Sequence, residues 1–492
     1  MVKILIANRG EIAIRIAKTC KRIGIKPYGV FSDADKESLH IKYCDDAVNL
    51  GGFMPNENYL CIDKVIDAAK KLDCDMIHPG YGFLSENHKF VKVCKEEGIV
   101  FIGPSYKAMT LSGDKVETRK IASKVAETVE GEEVMDQNQA SRVAESIGYP
   151  VIIKAVEGGG GRGLRIAGSR EELVNLFLLS KNESKISFGS DRLYLEKYVA
   201  NPKHIEVQIL ADYDSTIHLG ERECSIQRRY QKLIEETPSP TLTKETRNEM
   251  TKTAIKIINE IGYDNAGTVE FLYKDGRFYF MEINARIQVE HPITEEVTGV
   301  DIVEQQIHIA SGDGLTIKQE DITPKGHAIE CRINAENPIT FAPYPGKIDQ
   351  FIPPIGEGIR VDTALYEGYS IPVFYDSLIA KLVCFGNSRN EAIDRMKKSL
   401  LSFRISGIPS TISFHISAMN DNEFLTGKYD TSFINKMKHF SPRNGEIAAA
   451  IFSMLPRKIQ FIKTQQYQDA WIQGKLDLNE TSYLNDNWRW ST

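Results

Sequence analysis

In the first hundred residues, short apolar runs at 2–7, 28–31, 76–77 and 100–102 alternate with segments of helical spacing at 11–23, 63–72 and 89–97. Few folds satisfy this rhythm, because each helix must cross over and cover a sheet face before the next strand can join in parallel. A doubly wound α/β sheet is therefore expected at the start of the chain. The segment 11–23 places Ile12, Ile16 and Ile23 at the spacing of a buried helical stripe. The first strand–helix turn lacks G-x-G-x-x-G, so dinucleotide binding is not expected there. The loop H-P-G-Y-G-F-L-S-E-N at 78–87 sets two glycines among polar groups after a strand end, which suggests a binding loop, with a plain tight turn as the alternative.

A chain of 492 residues that is 42% hydrophobic can bury a large core and predicts about three domains. Its net charge of −6 gives no general attraction for nucleic acid or an anionic membrane. The chain opens directly on a strand, without a signal-peptide pattern, and holds no apolar span of about eighteen residues. A cytoplasmic protein is expected. The eight cysteines are scattered, with neither C-x-x-C nor H-E-x-x-H among them, so reduced core thiols are expected in place of zinc ligands or disulfides.

A second region begins near Gly113, with a helix predicted over 115–126 and an acidic stretch at 127–136. Within a compact block at 140–199, a strand at 151–156 runs into E-G-G-G-G-R-G at 157–163 and out into a strand at 164–167. Strand, glycine loop, strand differs from the Walker arrangement, in which the loop opens a helix. A mobile hairpin lid fits it, with backbone N–H groups able to approach phosphate oxygens unobstructed. A third region from 204 to about 439 holds helices at 302–311 and 390–401 and a β-rich stretch at 327–385. The last fifty residues carry all three tryptophans, at 471, 488 and 490, within polar sequence, and read as an appendage.

Chemistry concentrates at M-E-I-N-A-R-I-Q-V-E-H-P, 281–292. Strand-like runs at 268–273 and 277–283 would pair as a hairpin through 274–276 and bring Glu270 near Glu282. Two carboxylates and the Asn284 carbonyl are hard oxygen donors suited to Mg²⁺ bridging phosphates. Arg286, Gln288, Glu290 and His291 then set an anion-binding cation beside a potential base. Any one of these residues would read better as part of an exposed charged strand. Together with the glycine loop and the upstream lysines they point to a site.

Taken in order, I-A-N-R-G-E-I-A-I-R-I at 6–16, the 78–87 loop, G-D-K at 113–115, P-V-I-I-K-A at 150–155, the glycine loop, E-K-Y at 196–198, H-I-E-V-Q at 204–208, C-S-I-Q-R-R-Y-Q-K at 224–232, R-I-Q-V-E-H-P and E-C-R-I-N-A-E at 330–336 resemble the biotin carboxylase family of the ATP-grasp superfamily, over nearly all of the chain to about residue 440. The resemblance implies an α/β protein with a pre-ATP-grasp Rossmann-like domain at 1–112, an ATP-grasp domain at 113–325 with a mobile lid at about 130–200, and a C-terminal β-rich subdomain at 326–443. The tail 444–492 lies beyond it.

By the same resemblance, Lys115, Lys154 and the loop glycines Gly159, Gly160 and Gly161 meet ATP phosphates. Glu196, Lys197 and Val199 surround the adenine, and His204 and Gln227 lie near the ribose and phosphates. Glu270, Glu282 and Asn284 would hold Mg²⁺ or Mn²⁺, Arg286, Gln288 and Val289 bicarbonate, and Lys232 a carboxyphosphate intermediate. Glu290 would be the general base, Arg332 would offset enolate charge on the biotin ureido oxygen, and Tyr81 would lie near biotin. Three departures stand out: Tyr230 where the family usually has histidine, a lid entry at 123–133 without the usual valine, proline and glycine, and Glu157 at an often small position. No A-M-K-M-like biotinylation site is present, and K-M-K at 436–438 lacks its context. A separate biotin carboxyl carrier protein and a separate carboxyltransferase are therefore expected, with a homodimer of this chain. The favoured setting is an acetyl-CoA or propionyl-CoA carboxylase. Its alternatives are membership of a pyruvate carboxylase, another ATP-grasp ligase and a non-catalytic paralogue.

Overall fold

The computed structural model describes residues 2–156 and 164–437. Strands β1 (Lys3–Ile6), β2 (Lys26–Phe31), β3 (Asp46–Asn49), β4 (Met76–His78) and β5 (Val100–Phe101) form a parallel sheet ordered β3-β2-β1-β4-β5. Only β3 is missing from the sequence reading, because D-A-V-N is a short polar edge strand without alternation. The strand order reverses beside β1, where open α/β sheets bind ligands beyond the strands' carboxyl ends. There the Asn8 amide donates to the carbonyls of Pro79 (2.7 Å) and Tyr81 (2.8 Å) and fixes the 78–87 loop. Gly80 is required at this contact: its φ is +62°, and a Cβ would lie 2.9 Å from the Asn8 amide nitrogen.

Strands β6 (Gly131–Val134), β7 (Val151–Ala155), β8 (Arg165–Ala167) and β9 (Leu193–Lys197) make a small antiparallel sheet ordered β6-β9-β7-β8, packed by the helices Gln137–Ile147 and Arg170–Phe188. The β7–β8 pair flanks the glycine loop as expected. The loop itself, with Glu157, Gly159, Gly160 and Gly161, lies outside the described residues, as do the tail 444–492 and its tryptophans. The helix predicted over 115–126 is shorter, Lys115–Ala122, with the Asp114 carboxylate accepting from the N–H groups of Val116 and Glu117 at its start.

The remaining large sheet is ordered β14-β13-β10-β11-β12-β15-β18-β17. It comprises β10 (Lys203–Ala211), β11 (Thr216–Arg228), β12 (Gln231–Thr237), β13 (Asn265–Lys274), β14 (Arg277–Asn284), β15 (His327–Asn334), β17 (Ile359–Thr363) and β18 (Leu378–Gly386); β16 (Gln350–Ile352) pairs separately with β19 (Arg404–Ser406). One antiparallel sheet thus crosses from the middle of the chain into its last third, through the register Ile234↔Cys331 to Thr237↔Ala328. The β13–β14 hairpin also grips both stems of the small sheet: Phe280 N donates to Glu127 O (2.8 Å), Arg277 pairs with the Glu127 carboxylate (2.8 Å), and Lys274 Nζ donates to Ala200 O (2.7 Å).

The join between the two halves of the large sheet holds a buried polar knot. Glu236 on β12 is fully buried, accepting from Arg389 (2.7 and 2.9 Å), the Tyr429 hydroxyl (2.5 Å) and His327 Nε2 (2.6 Å). Burial alone would raise its pKa, but His327 and Arg389 outweigh that and hold it at about 2. A carboxyl depressed on folding contributes stability above its unfolded range and loses it as pH falls toward the folded value. Glu236→Gln should therefore lower the free energy of unfolding by about 3–5 kcal/mol at neutral pH. In urea titrations the deficit should shrink as pH drops below about 4.5; a deficit constant with pH would show that shape, not charge, holds the knot.

Candidate functional site

The β13–β14 hairpin turns through Asp275 and Gly276, both with positive φ (+49° and +80°), the two-residue geometry that Asp-Gly favours. The hairpin brings Glu270 near Glu282 as expected, and a register slip between Glu270 and Phe271 sets the two directly opposite. Asn284 donates its amide to Glu270 Oε1 (2.8 Å), and Lys115 pairs with Glu282 at 3.2 Å. Two carboxylates on facing strand positions, one buried and one partly open beside a lysine, fit a hard divalent cation carrying phosphate groups. His204 Nδ1 accepts from the Gln227 amide, so the ring proton sits on Nε2 and is donated to Glu270 Oε2 (3.0 Å). His204 and Gln227, expected near the ribose and phosphates, thus orient a carboxylate. Burial raises the Glu270 pKa, but Lys232 and His204 overcome it and the carboxyl is held low.

Next to this pair lies a buried lattice of charge. Lys232 Nζ donates to Glu206 (2.5 Å), Glu270 (2.8 Å) and Glu290 (2.7 Å). Arg222, fully buried, bonds the other Glu206 oxygen, Gln208 (2.8 Å) and Thr294 (3.0 Å). Arg332 reaches Glu290 Oε2 at 2.8 Å and Glu235 Oε1 at 2.6 Å. Glu290 is fully buried, which opposes its charge, yet Lys232, Arg332 and Arg222 hold its carboxyl well below the ordinary range. Burial instead pushes Glu206 up, and Glu235 to about 7, although each is hydrogen-bonded to a cation.

The 286–291 run is a turn entering the helix His291–Thr298, not a strand. Glu86, from the 78–87 loop, bonds Arg286 Nε (2.9 Å) and Ala285 N (3.1 Å), and Arg286 Nη1 donates to Gln288 Oε1 (3.1 Å). Gln288 Nε2 is buried with no hydrogen-bond partner among the described residues, an unsatisfied donor beside a guanidinium, which fits a small anion. Lys381 Nζ donates to the Val289 carbonyl (3.0 Å) and steadies the turn. His291, kept neutral by burial and the nearby cations Lys381, Arg15 and Arg360, donates Nδ1–H to the Gln288 carbonyl (2.7 Å). Its role is to shape the loop, leaving Glu290 as the base candidate.

At the far end, Glu196 is nearly fully buried between Lys154 and Arg119, the latter at 2.7 Å. Lys197 turns its Nζ to the carbonyls of Gly148 (2.9 Å) and Tyr149 (3.0 Å), and its backbone N–H donates to Glu130 O (2.8 Å). With Val199 it lines a cavity of about 390 Å³ that also touches Arg277 and Tyr279. The Tyr81 hydroxyl bonds the Glu11 carboxylate, and burial raises its pKa well above the usual value. Tyr230 occupies the two-residue turn between β11 and β12 with Arg229, both at positive φ, and is 46% exposed.

The sequence reading singled out Glu270 and Glu282, the 286–290 turn and Arg332, which the structure brings together; it did not single out Glu206, Arg222, Glu235 and Glu86, which bond into the same lattice. His204, Glu206 and Gln208 alternate with the apolar Ile205, Val207 and Ile209 on a strand that is buried from His204 onward. Polar residues at every second position of a buried strand are the signal that could have found them.

Family models match the chain as "Biotin carboxylase, N-terminal domain" over residues 1–109, "Carbamoyl-phosphate synthase L chain, ATP binding domain" over 114–318 and "Biotin carboxylase C-terminal domain" over 330–436. Biotin carboxylase 1 of Bacillus subtilis is 48% identical over 439 residues, covering 88% of this chain and 98% of its own length. One of the pyruvate carboxylase subunits of Methanothermobacter thermautotrophicus is 49% identical over 441 residues, covering 89% and 90%. The biotin carboxylase domain dimer of Hydrogenobacter thermophilus 2-oxoglutarate carboxylase, solved with MgADP, ADP and bicarbonate, superposes with a TM-score of 0.87 at 46% identity, covering 89% of this chain and 98% of that one. The chain belongs to the biotin carboxylase family, and it is an ATP-dependent carboxylating ligase whose chemistry draws on Mg²⁺, bicarbonate and biotin. Among the described residues no helix is long and apolar enough to cross a membrane.

Proposed function

We propose that this chain carboxylates biotin borne on a separate carrier protein, as a homodimeric subunit of an acyl-CoA carboxylase, with its domains divided at 112/113 and 325/326 as the motif order suggests. The observation that carries the catalytic part is the junction at Glu290, where one buried carboxylate joins Lys232, from the phosphate side, to Arg332, from the C-terminal strands. In this reading Arg286 and the unsatisfied Gln288 amide hold bicarbonate and Glu290 takes its proton. Glu290 is a poor base while both cations hold it. Its basicity rises when a bound anion draws Lys232 away from it, before carboxyphosphate forms; Lys232 and Arg332 are then placed for the carboxyphosphate and ureido oxygens that follow.

Glu270, Glu282 and Asn284 would hold Mg²⁺, which supplies charge neutralisation as the γ-phosphoryl leaves ATP. Lys115, Lys154 and the glycine loop cradle the phosphates, and Tyr81 borders the biotin entrance. Bicarbonate-dependent ATP cleavage that free biotin stimulates tests the reading, and its absence would refute it. The 49% identity to a pyruvate carboxylase component keeps that setting as a second reading; the carboxyltransferase that co-purifies with the chain decides between them.

Arg332→Ala should depress biotin carboxylation by about 10²–10³-fold, the effect of losing one donor to a developing oxyanion. ATP cleavage without biotin should fall far less, because Arg332 has no part in binding nucleotide. Equal losses in the two assays would assign Arg332 to the structure of β15 alone.

A further inference from the structure

Arg332 divides its donors unequally. Nε lies 2.6 Å from Glu235 Oε1, Nη2 approaches the same oxygen at 2.6 Å and Glu290 Oε2 at 2.8 Å, and Nη1 makes no hydrogen bond among the described residues. The side chain is 15% exposed, so Nη1 is the nitrogen left for a substrate oxygen. Glu235 decides which edge of the guanidinium is left. It reaches that position because the β11–β12 register slips between Ile226↔Ile234 and Gln227↔Lys232. The extra residue, Leu233, lets Lys232 and Glu235 work on the same charge lattice.

A further carboxyl stands behind it. The register sets Glu330 directly opposite Glu235, on one face of the sheet and two residues before Arg332. Glu330 is fully buried, and among the described residues neither of its carboxyl oxygens has a hydrogen-bond partner; Glu235 Oε2 has none there either. Glu206, Glu235, Glu270, Glu290 and Glu330 thus share a lattice in which Lys232, Arg222 and Arg332 are the bonded cations. An ionised carboxylate with both oxygens buried and unbonded is the most costly member of such a set, and it is the one that keeps its proton.

We propose that Glu235 is a positioning residue that aims Arg332 Nη1 at the biotin ureido oxygen, and that Glu330 is carried as a neutral acid behind it so that Arg332 keeps its positive field. The assignment rests on the reading of Arg332 given above. Burial outweighs the opposing charges of Lys381 and Arg332 and, with Glu235 and Glu290 nearby, raises the Glu330 pKa well above the carboxylate range, in agreement.

The test uses the full-length protein, free biotin and two assays, biotin carboxylation and biotin-independent ATP cleavage. E235A should lower kcat for biotin carboxylation by about 10²-fold, the loss expected from a misplaced group, while the KM for ATP and biotin-independent cleavage stay near parental. E235Q, which keeps an oxygen for Arg332 Nε, should recover part of that loss, and it carries the test if E235A does not fold. E330Q exchanges one neutral group for another and should retain near-parental rates. Infrared spectra should show a protonated buried carboxyl that E330Q abolishes. Equal falls of both activities in E235A or E235Q would overturn the positioning role. An E330Q loss as deep as that of E235A, or no protonated carboxyl, would overturn the neutral acid. If Arg332→Ala separates the two activities and the Glu235 variants do not, the present inference fails and the reading of Arg332 stands; if Arg332→Ala does not separate them, that reading fails first.

Discussion

Glu290→Gln should reduce biotin carboxylation by about 10²–10⁴-fold, the usual consequence of removing a general base, with ATP binding preserved. The substitution keeps shape and one oxygen acceptor, so the contacts from Lys232 Nζ (2.7 Å) and Arg332 Nη2 (2.8 Å) need not both collapse. What it removes is the negative charge those two cations share. Bicarbonate-dependent ATP cleavage should fall along with carboxylation, because the base acts before carboxyphosphate forms. This pattern differs from that of Arg332→Ala, in which only the biotin step suffers. A Glu290→Gln enzyme that carboxylated biotin at the parental rate would remove Glu290 from the mechanism.

Lys232→Met should damage both folding and catalysis. Its ammonium is the shared partner of three buried or nearly buried carboxylates, Glu206, Glu270 and Glu290. Burial opposes its charge, but these acids raise its pKa well above the ordinary lysine value, so it is charged at any working pH. Removing one member of a buried ion network typically costs about 3–5 kcal/mol, because the charges left behind are uncompensated. The acids then relieve themselves by taking up protons, so the deficit in urea unfolding should narrow as pH is lowered from neutral toward 5. Carboxylation should drop by about 10²–10³-fold, on the scale of losing a donor to a developing anion. Parental stability at neutral pH would mean that Arg222 and His204 suffice to hold the acids.

What the sequence disclosed and what it hid follow from local versus non-local causes. The opening α/β sheet was legible because strand and helix periodicities are written into consecutive residues, and the β13–β14 hairpin because Asp275-Gly276 marks its turn; that turn alone would set Met281 opposite Glu270, and a register slip between Glu270 and Phe271 brings Glu282 there instead. Glu235 was not legible. Simple alternation along β12 puts it on the opposite face from Lys232, and only the register slip at Leu233, set by pairing with β11, brings the two into one lattice. Glu86 was hidden for a related reason: it holds Arg286 from a loop 200 residues earlier, and no periodicity records that contact. His204 and Gln227 were picked out by their motifs, but motifs name residues without saying which partner each will take.

The large sheet bears on how such a chain can be divided. A reader of the motifs would cut it near residue 325, between the matched segment that ends at 318 and the one that begins at 330, yet β12 and β15 are hydrogen-bonded neighbours across that cut. Severing there would not release two finished modules. It would leave Ile234–Thr237 on one piece and Ala328–Cys331 on the other as raw strand edges, each rich in buried side chains and each a template for any extended peptide it met. Fragments made along the family boundary should therefore be sticky, and useful fusion or split points in this enzyme lie where strands end on the surface, not where homology does.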